Sequence, residues 1–317
     1  MSTIHKFDLL ISEVGPRDGL QSVATTMATA DKCAWIDALV AAGVQEIEVG
    51  SFVSPKLLPQ MADAAEVVQH AIRHASVTIM ALVPNIKGAE AAMRAGAHKI
   101  TLPVSASPAH SMANVRKTPE QMLEQVRAIT ALRDEIAPQV HIEAGISTAF
   151  GCTIQGPVPE DDVIALAVAC VQAGADESGL SDTTGMANPA QVKRLFTRLR
   201  SELGNQAGAA HMHNTRGLGL TNCLAAYEAG VRTFDSSQAG LGGCPYAPGA
   251  SGNVVTEDLV FMFEAMGLRT GIDIERLLTA RNTLARGLPG EALYGMLPPA
   301  GLPKGFKPHA YALRSAV

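Results

Sequence analysis

The sequence predicts a (β/α)8 barrel, the TIM-barrel architecture of the α/β class, and three observations carry that prediction. A phrase in which Ala-Gly plus a small residue ends an amphipathic stretch and opens a strand-like run occurs four times. Apolar runs between these copies bring the strands to eight, and eight alternating strand–helix units suit a closed barrel. The loop after the first strand, Gly15-Pro16-Arg17-Asp18-Gly19, matches neither the dinucleotide-binding fingerprint nor the Walker pattern that an open doubly wound sheet usually carries there.

The first strand covers residues 9–14, and an amphipathic helix follows at 31–41. Ala42-Gly43-Val44 closes that helix and leads into the second strand, Glu46-Ile47-Glu48-Val49. The third strand spans 77–83 and its helix 87–94; Ala95-Gly96-Ala97 then precedes the fourth strand, Lys99-Ile100-Thr101-Leu102. Helix 119–136 opens on a Pro, which a first turn tolerates, and the fifth strand is 140–146. Helix 161–172 ends at Ala173-Gly174-Ala175 before the sixth strand, Glu177-Ser178-Gly179-Leu180. Helix 189–203, strand 207–211 and helix 221–228 lead to Ala229-Gly230-Val231 and the eighth strand, Thr233-Phe234-Asp235. In every copy the Gly supplies the left-handed residue that stops a helix. From residue 287 the texture turns Gly- and Pro-rich, so residues 1–286 are expected to form the barrel and 287–317 a tail packed on it or on a neighbouring subunit.

Of the 317 residues, 47% are hydrophobic and only 4% aromatic, so the interior is expected to consist of Ala, Val, Ile, Leu and Met. The 25 Lys and Arg are scattered among 30 Asp and Glu, which leaves no basic stripe for a phosphate backbone and argues against nucleic acid. The longest apolar run, 163–171, is about half of a bilayer span, and no signal or transit pattern precedes the first strand. A protein without membrane segments, located in the cytoplasm, is expected. The odd, uneven set of Cys33, Cys152, Cys170, Cys223 and Cys244 reads as free thiols. Cys33, Cys170 and Cys223 fall on helix patterns and are expected in the core.

In such a barrel the chemistry lies at the strand C-terminal ends, and polar residues gather there. Glu13, Arg17 and Asp18 follow or end the first strand, Glu48 lies in the second, and Asp182 follows the sixth. The seventh delivers His211-Met212-His213, and a loop after the eighth holds Cys244 and Asn253. Residues two apart on a strand share a face, so both imidazoles can reach one point. With Asp18 nearby this suggests a divalent metal of the Mg2+ or Mn2+ type, the ordinary alternative being two core histidines satisfied by hydrogen bonds. Arg17 beside Asp18 is either a surface ion pair or a cation that neutralises a developing oxyanion. Glu13 and Glu48, expected to be buried, need partners, and either could orient Arg17. The Gly- and Pro-rich loop 241–253 has the texture of a lid.

Glu13-Val14-Gly15-Pro16-Arg17-Asp18-Gly19-Leu20-Gln21, Ser51-Phe52-Val53-Ser54-Pro55-Lys56, Ser181-Asp182-Thr183-Thr184-Gly185, the His pair and Gly240-Leu241-Gly242-Gly243-Cys244-Pro245-Tyr246-Ala247 through Asn253 closely resemble the 3-hydroxy-3-methylglutaryl-CoA lyases, over residues 7–282. The resemblance implies a divalent-metal-dependent lyase that cleaves a tertiary 3-hydroxyacyl-CoA into acetyl-CoA and a keto acid. Its implied metal ligands are Asp18, His211, His213 and Asn253, with Glu48 supporting from behind, and Glu13, a buried neighbour on the first strand, is expected to support the site as well. Arg17 would stabilise the enolate oxygen, Cys244 would protonate the enolate carbon, and Asp18 or His211 would take the hydroxyl proton. Asp182 and Gln21, with Arg17, would contact substrate. A homo-oligomer, dimer or tetramer, is expected on the same ground. Two departures bear on the acyl group: Asn214-Thr215-Arg216-Gly217 stands where the family has Asp-Thr-Tyr-Gly, and Ser178-Gly179-Leu180-Ser181 where it has Ser-Leu-Gly. They suggest an extra cation, Arg216, near the mouth and a site enlarged or depolarised at Gly179, and they keep citramalyl-CoA and longer branched esters in view. Asn114, expected in a loop after the fourth strand, is a further positional candidate for ligand contact.

Overall fold

The computed structural model describes residues 7–242 and 252–308. Strands β1 (Leu10–Glu13), β2 (Glu46–Ser51), β3 (Thr78–Leu82), β4 (Lys99–Ser105), β5 (His141–Ser147), β6 (Glu177–Ser181), β7 (Ala207–His211) and β8 (Thr233–Ser236) are parallel and close into a barrel in sequence order. The ring is sealed by β8 on β1, with Leu10 opposite Thr233 and Glu13 opposite Ser236. Around it run α1 (Thr29–Ala41), α2 (Ala64–Ala71), α3 (Ile86–Ala95), α4 (Pro108–Val115), α5 (Pro119–Ile136), α6 (Glu160–Gln172), α7 (Pro189–Leu203), α8 (Gly219–Glu228), α9 (Thr256–Ala265), α10 (Ile274–Gly287) and the single turn α11 (Leu297–Ala300). This is the predicted (β/α)8 architecture. Among the described residues no helix is long and apolar enough to cross a membrane.

The four recurring glycines do what the repeat implies: Gly43, Gly96, Gly174 and Gly230 have φ between +96° and +106°. At Gly43 a Cβ would also lie 2.5 Å from the Gly271 carbonyl oxygen, so conformation and space both require Gly. Helix starts are equally local. Thr118 and Gln121 form a reciprocal capping box before α5, and Asn85, Ser107, Asn188 and Asp273 cap α3, α4, α7 and α10. Five helices add to the set expected from sequence: α2, α4, α9, α10 and α11. The segment after β4 is helical, so Asn114 sits exposed on α4 rather than in a loop.

The apolar layer lies between sheet and helices, where Ile47, Ile79, Ile100, Leu102, Ile142, Leu180 and Phe234 meet α1 to α9 in one continuous core. Inside the barrel the composition differs from the expected aliphatic filling. Side chains alternate along a strand, and the alternate set here is polar: Glu46 and Glu48 on β2, Lys99 and Thr101 on β4, Glu143 on β5, Glu177 on β6. Near the strand N-termini Lys99 Nζ reaches Glu143 Oε2 at 2.7 Å and Glu177 Oε1 at 2.6 Å, with Glu46 Oε1 at 3.8 Å. A buried charge needs such partners. Gly179 belongs to this packing: a Cβ there would stand 2.6 Å from the Ala209 carbonyl oxygen and 2.8 Å from Glu143 Oε1. It makes room for the Glu143 carboxylate and does not enlarge a substrate site.

Beyond β8 the chain folds back on itself. The Asp273 N–H donates to the Ala42 carbonyl and Arg276 Nη1 to the Ala41 carbonyl, which fastens the start of α10 to the end of α1. Past α10, the N–H groups of Met296 and Leu297 donate to the Asp258 carboxylate, and the Phe306 ring lies 5.2 Å from that of Phe261.

Candidate functional site

After β1 the backbone makes one π-helical turn, Gly15–Gly19, in which the N–H groups of Arg17, Asp18 and Gly19 all face the Val14 carbonyl at 3.1, 2.7 and 3.4 Å. Such wide turns are frequent at functional sites. Glu13 holds this one from behind. Its Oε1 accepts from the Gly15 and Gln238 N–H groups, both at 2.8 Å, and its Oε2 from the Thr256 hydroxyl at 2.7 Å. Burial raises the Glu13 pKa to about 8 even against these three donors.

Arg17 is fixed at two points. Nε donates to Glu48 Oε2 and Nη1 to Asp18 Oδ1, each at 2.5 Å, and neither bond uses Nη2. Of the two buried glutamates, Glu48 therefore orients Arg17 and Glu13 shapes the turn. The second oxygen of Glu48 accepts the Thr101 hydroxyl. Burial works against the guanidinium charge, but Glu48 and Asp18 outweigh it and raise the Arg17 pKa. Burial likewise opposes the Asp18 charge. Arg17, both histidines and the Asn253 amide overcome it and hold the pKa at about 2.

Facing Asp18 are the residues that end β7 and follow it. His211 Nδ1 lies 3.0 Å from Asp235 Oδ2, which turns Nε2 toward His213 Nε2 at 3.1 Å and Asp18 Oδ2 at 3.9 Å. His213 forms an isolated bridge with Asn253, whose Nδ2 donates to Asp18 Oδ2 at 2.6 Å and to the Leu241 carbonyl at 3.1 Å. Desolvation opposes a charge on His211, yet Asp235 and Asp18 raise its pKa, whereas burial and the charge on His211 lower that of His213 to about 4. His213 is thus neutral at pH 7, the form in which imidazole binds a metal. Asp18, His211 and His213 form a group able to hold a metal ion.

The fit to a cation shows in a group this arrangement leaves unsatisfied. Asn253 Oδ1 is buried without a hydrogen-bond partner, a state that normally demands explanation. Exchanging the two ends of the Asn253 amide would bring Oδ1 to Asp18 Oδ2, a pairing of oxygens stable only with a cation between them. Gly242 leaves the space this cluster needs. With φ at +105°, a Cβ there would lie 2.4 Å from Asn253 Nδ2 and 3.3 Å from Asp18 Oδ2. Gly242→Ala is expected to weaken Mn2+ binding by roughly tenfold or more, since it displaces a ligand rather than an outer partner; calorimetric titration checks this, and an unchanged affinity would remove Gly242 from the site's support.

A family model described as HMGL-like matches residues 8–284. The chain belongs to the HMGL-like family. It is 42% identical over 270 residues to hydroxymethylglutaryl-CoA lyase YngG of Bacillus subtilis, covering 85% of this chain and 90% of that protein. It is 40% identical over 305 residues to the (R)-citramalyl-CoA lyase of Chloroflexus aurantiacus, covering 91% and 94%. The solved structure of an HMG-CoA lyase from Acinetobacter baumannii, in complex with coenzyme A and 3-methylmalate, superimposes with a TM-score of 0.88 at 41% identity, covering 97% of this chain and 99% of that one. The chain is therefore a carbon–carbon lyase of the hydroxymethylglutaryl-CoA lyase type.

Within this HMGL-like barrel most of the sequence-derived residues converge on one mouth: Arg17, Asp18, Glu48, His211, His213 and Asn253. Asp182 lies on the loop after β6, buried, with Oδ1 accepting from the Met186 and Ala187 N–H groups at 2.8 and 3.1 Å. Burial raises its pKa to about 6 against those donors. Its Oδ2 has no partner. Arg216 Nη1 donates to the Thr184 and Gly185 carbonyls at 3.1 and 2.6 Å, so the guanidinium clamps that same loop. Gln21 is exposed just past the π turn. Cys244 lies outside the described residues. Cys152, Cys170 and Cys223 are buried, and Cys33 is half-buried on α1 rather than in the core. Asp235 and Thr101 were not singled out from sequence. The polar member of Thr233-Phe234-Asp235 was the available signal, because its alternation with Phe234 turns it into the barrel.

Proposed function

We propose that this member of the HMGL-like family cleaves 3-hydroxy-3-methylglutaryl-CoA to acetyl-CoA and acetoacetate, with Mg2+ or Mn2+ held by Asp18, His211, His213 and Asn253. The observation that carries the reading is the doubly anchored Arg17 guanidinium beside the Asp18, His211, His213 and Asn253 cluster. Cleavage removes the C3 hydroxyl proton, converts that C–O bond to a carbonyl and breaks C2–C3, leaving the electron pair as a thioester enolate that must be protonated at C2. A divalent ion in this site would polarise the C3 hydroxyl and favour its loss of a proton.

The remaining steps fall to side chains. Arg17, held by Glu48 and Asp18, presents Nη2 to the oxygen that becomes the enolate, and its charge is already in place before the bond breaks. Asp18 and His211 are the bases adjacent to the hydroxyl; the contact of His211 Nδ1 with Asp235 steadies its Nε2. Cys244 is assigned the proton returned to C2, because an ordinary thiol remains protonated at neutral pH. Asp182, with one free buried oxygen, contacts the acyl portion.

The likeness to a citramalyl-CoA lyase supports a second reading for the acyl group. Turnover of the hydroxymethylglutaryl and citramalyl esters by the same preparation separates the two. The first reading expects the larger kcat/KM with hydroxymethylglutaryl-CoA; the reverse order assigns the chain to citramalyl-CoA.

A further inference from the structure

The described residues contain two groups of one carboxylate and two histidines whose ligand atoms lie within 4.8 Å of one another. One is the mouth. The other comprises Asp37 on α1, His70 on the last turn of α2 and His74 in the turn from α2 to β3. Both imidazole Nε2 atoms point at the same oxygen, Asp37 Oδ1, each at 2.7 Å, and the two rings meet at an angle of 62° with centroids 6.1 Å apart. The barrel helices run antiparallel to the strands, so the C-terminal parts of α1 and α2 lie at the end of the barrel opposite the mouth. This cluster is therefore separate from the catalytic centre.

We infer that Asp37, His70 and His74 form a second metal site, selective for a borderline transition-metal dication of the Zn2+ class, that ties α1 to the α2–β3 turn. Two imidazoles and a carboxylate are the donor set such ions favour, whereas Mg2+ prefers oxygen throughout. Tetrahedral Zn2+ with ligand bonds of about 2.0–2.1 Å needs donor atoms roughly 3.3 Å apart. Each Asp37–His separation must then widen by about 0.6 Å, a small movement for side chains that remain partly exposed. A fourth position stays open to water. One neighbour opposes the ion: Arg73 Nη2 donates to His70 Nδ1 and Arg73 Nε to the His70 carbonyl. A metal-bound imidazole carries its proton on the other nitrogen, so Arg73, which is exposed, must swing away on binding.

The test is Zn2+ binding to the untagged full chain by equilibrium dialysis with metal analysis, in wild type, His74→Ala and Asp37→Asn. His74→Ala is expected to lose one bound equivalent while lyase turnover with Mg2+ stays unchanged. Asp37→Asn, which retains a hydrogen-bond acceptor and so preserves the local fold, is expected to bind at that site at least about tenfold more weakly. Arg73→Ala is expected to bind several-fold more tightly. In His213→Ala protein, where the mouth is impaired, added Zn2+ is expected to raise the melting temperature, and a further His74→Ala change to abolish that rise. Unchanged stoichiometry in His74→Ala together with unchanged affinity in Asp37→Asn would overturn the assignment.

Discussion

Replacing Arg17 by Lys is expected to lower kcat by about 10²–10³-fold with little change in KM. The positive charge survives, but its geometry does not. The guanidinium uses Nε for Glu48 and Nη1 for Asp18, and neither bond occupies Nη2, the nitrogen proposed to meet substrate. A single ammonium cannot satisfy both carboxylates and still reach a third oxygen in a defined direction. The loss falls on kcat because the enolate oxygen gains its charge only as the carbon–carbon bond breaks. Steady-state kinetics on the purified variant check this. A kcat within roughly tenfold of wild type would mean that charge alone, without the fork, provides the stabilisation.

The second large effect concerns stability. Lys99→Met is expected to destabilise the fold by about 3–5 kcal/mol at pH 7, because it leaves Glu46, Glu143 and Glu177 together in the barrel without their cation. Burial pushes the Glu143 pKa up to about 7 even with Lys99 present. A carboxyl whose folded pKa lies above its unfolded value contributes stability that is complete below the unfolded pKa and lost as pH rises through the folded one. The deficit in Lys99→Met should therefore grow from pH 4.5, the ordinary value, through pH 7 and shrink on acidification. Denaturant melts across that interval check the sign. Adding Glu143→Gln to Lys99→Met should recover part of the loss at pH 7, and no recovery would locate the damage elsewhere.

The fold was legible because its punctuation is local. Each Ala-Gly helix end needs only the left-handed residue at Gly43, Gly96, Gly174 or Gly230, which no distant contact has to supply. The mouth was legible for a related reason. Arg17 and Asp18 come from one turn and His211 and His213 from one strand end, so few long-range assumptions are involved. The polar barrel interior was hidden by composition, which counts apolar residues without saying on which side of a strand they lie. The strict alternation in Glu46-Ile47-Glu48-Val49 and Lys99-Ile100-Thr101-Leu102 carried that information. Gly179 was misread as substrate space because its true neighbour, Glu143, is 36 residues away in sequence and adjacent only across the β5–β6 pairing. Asp235 and the π turn are likewise products of closure, in which β8 meets β1 and Glu13 finds Gln238 and Thr256.

Metal binding at the mouth and carbon–carbon cleavage are tested together by one measurement. Chelator-treated, dialysed protein is mixed with 3-hydroxy-3-methylglutaryl-CoA, and acetyl-CoA and acetoacetate are quantified before and after Mg2+ or Mn2+ is restored. Equal amounts of the two products are expected, appearing only once the ion is present. Product formation at the same rate without the ion, or none of either product with it, would contradict the assignment of Asp18, His211, His213 and Asn253 to a metal-dependent lyase centre.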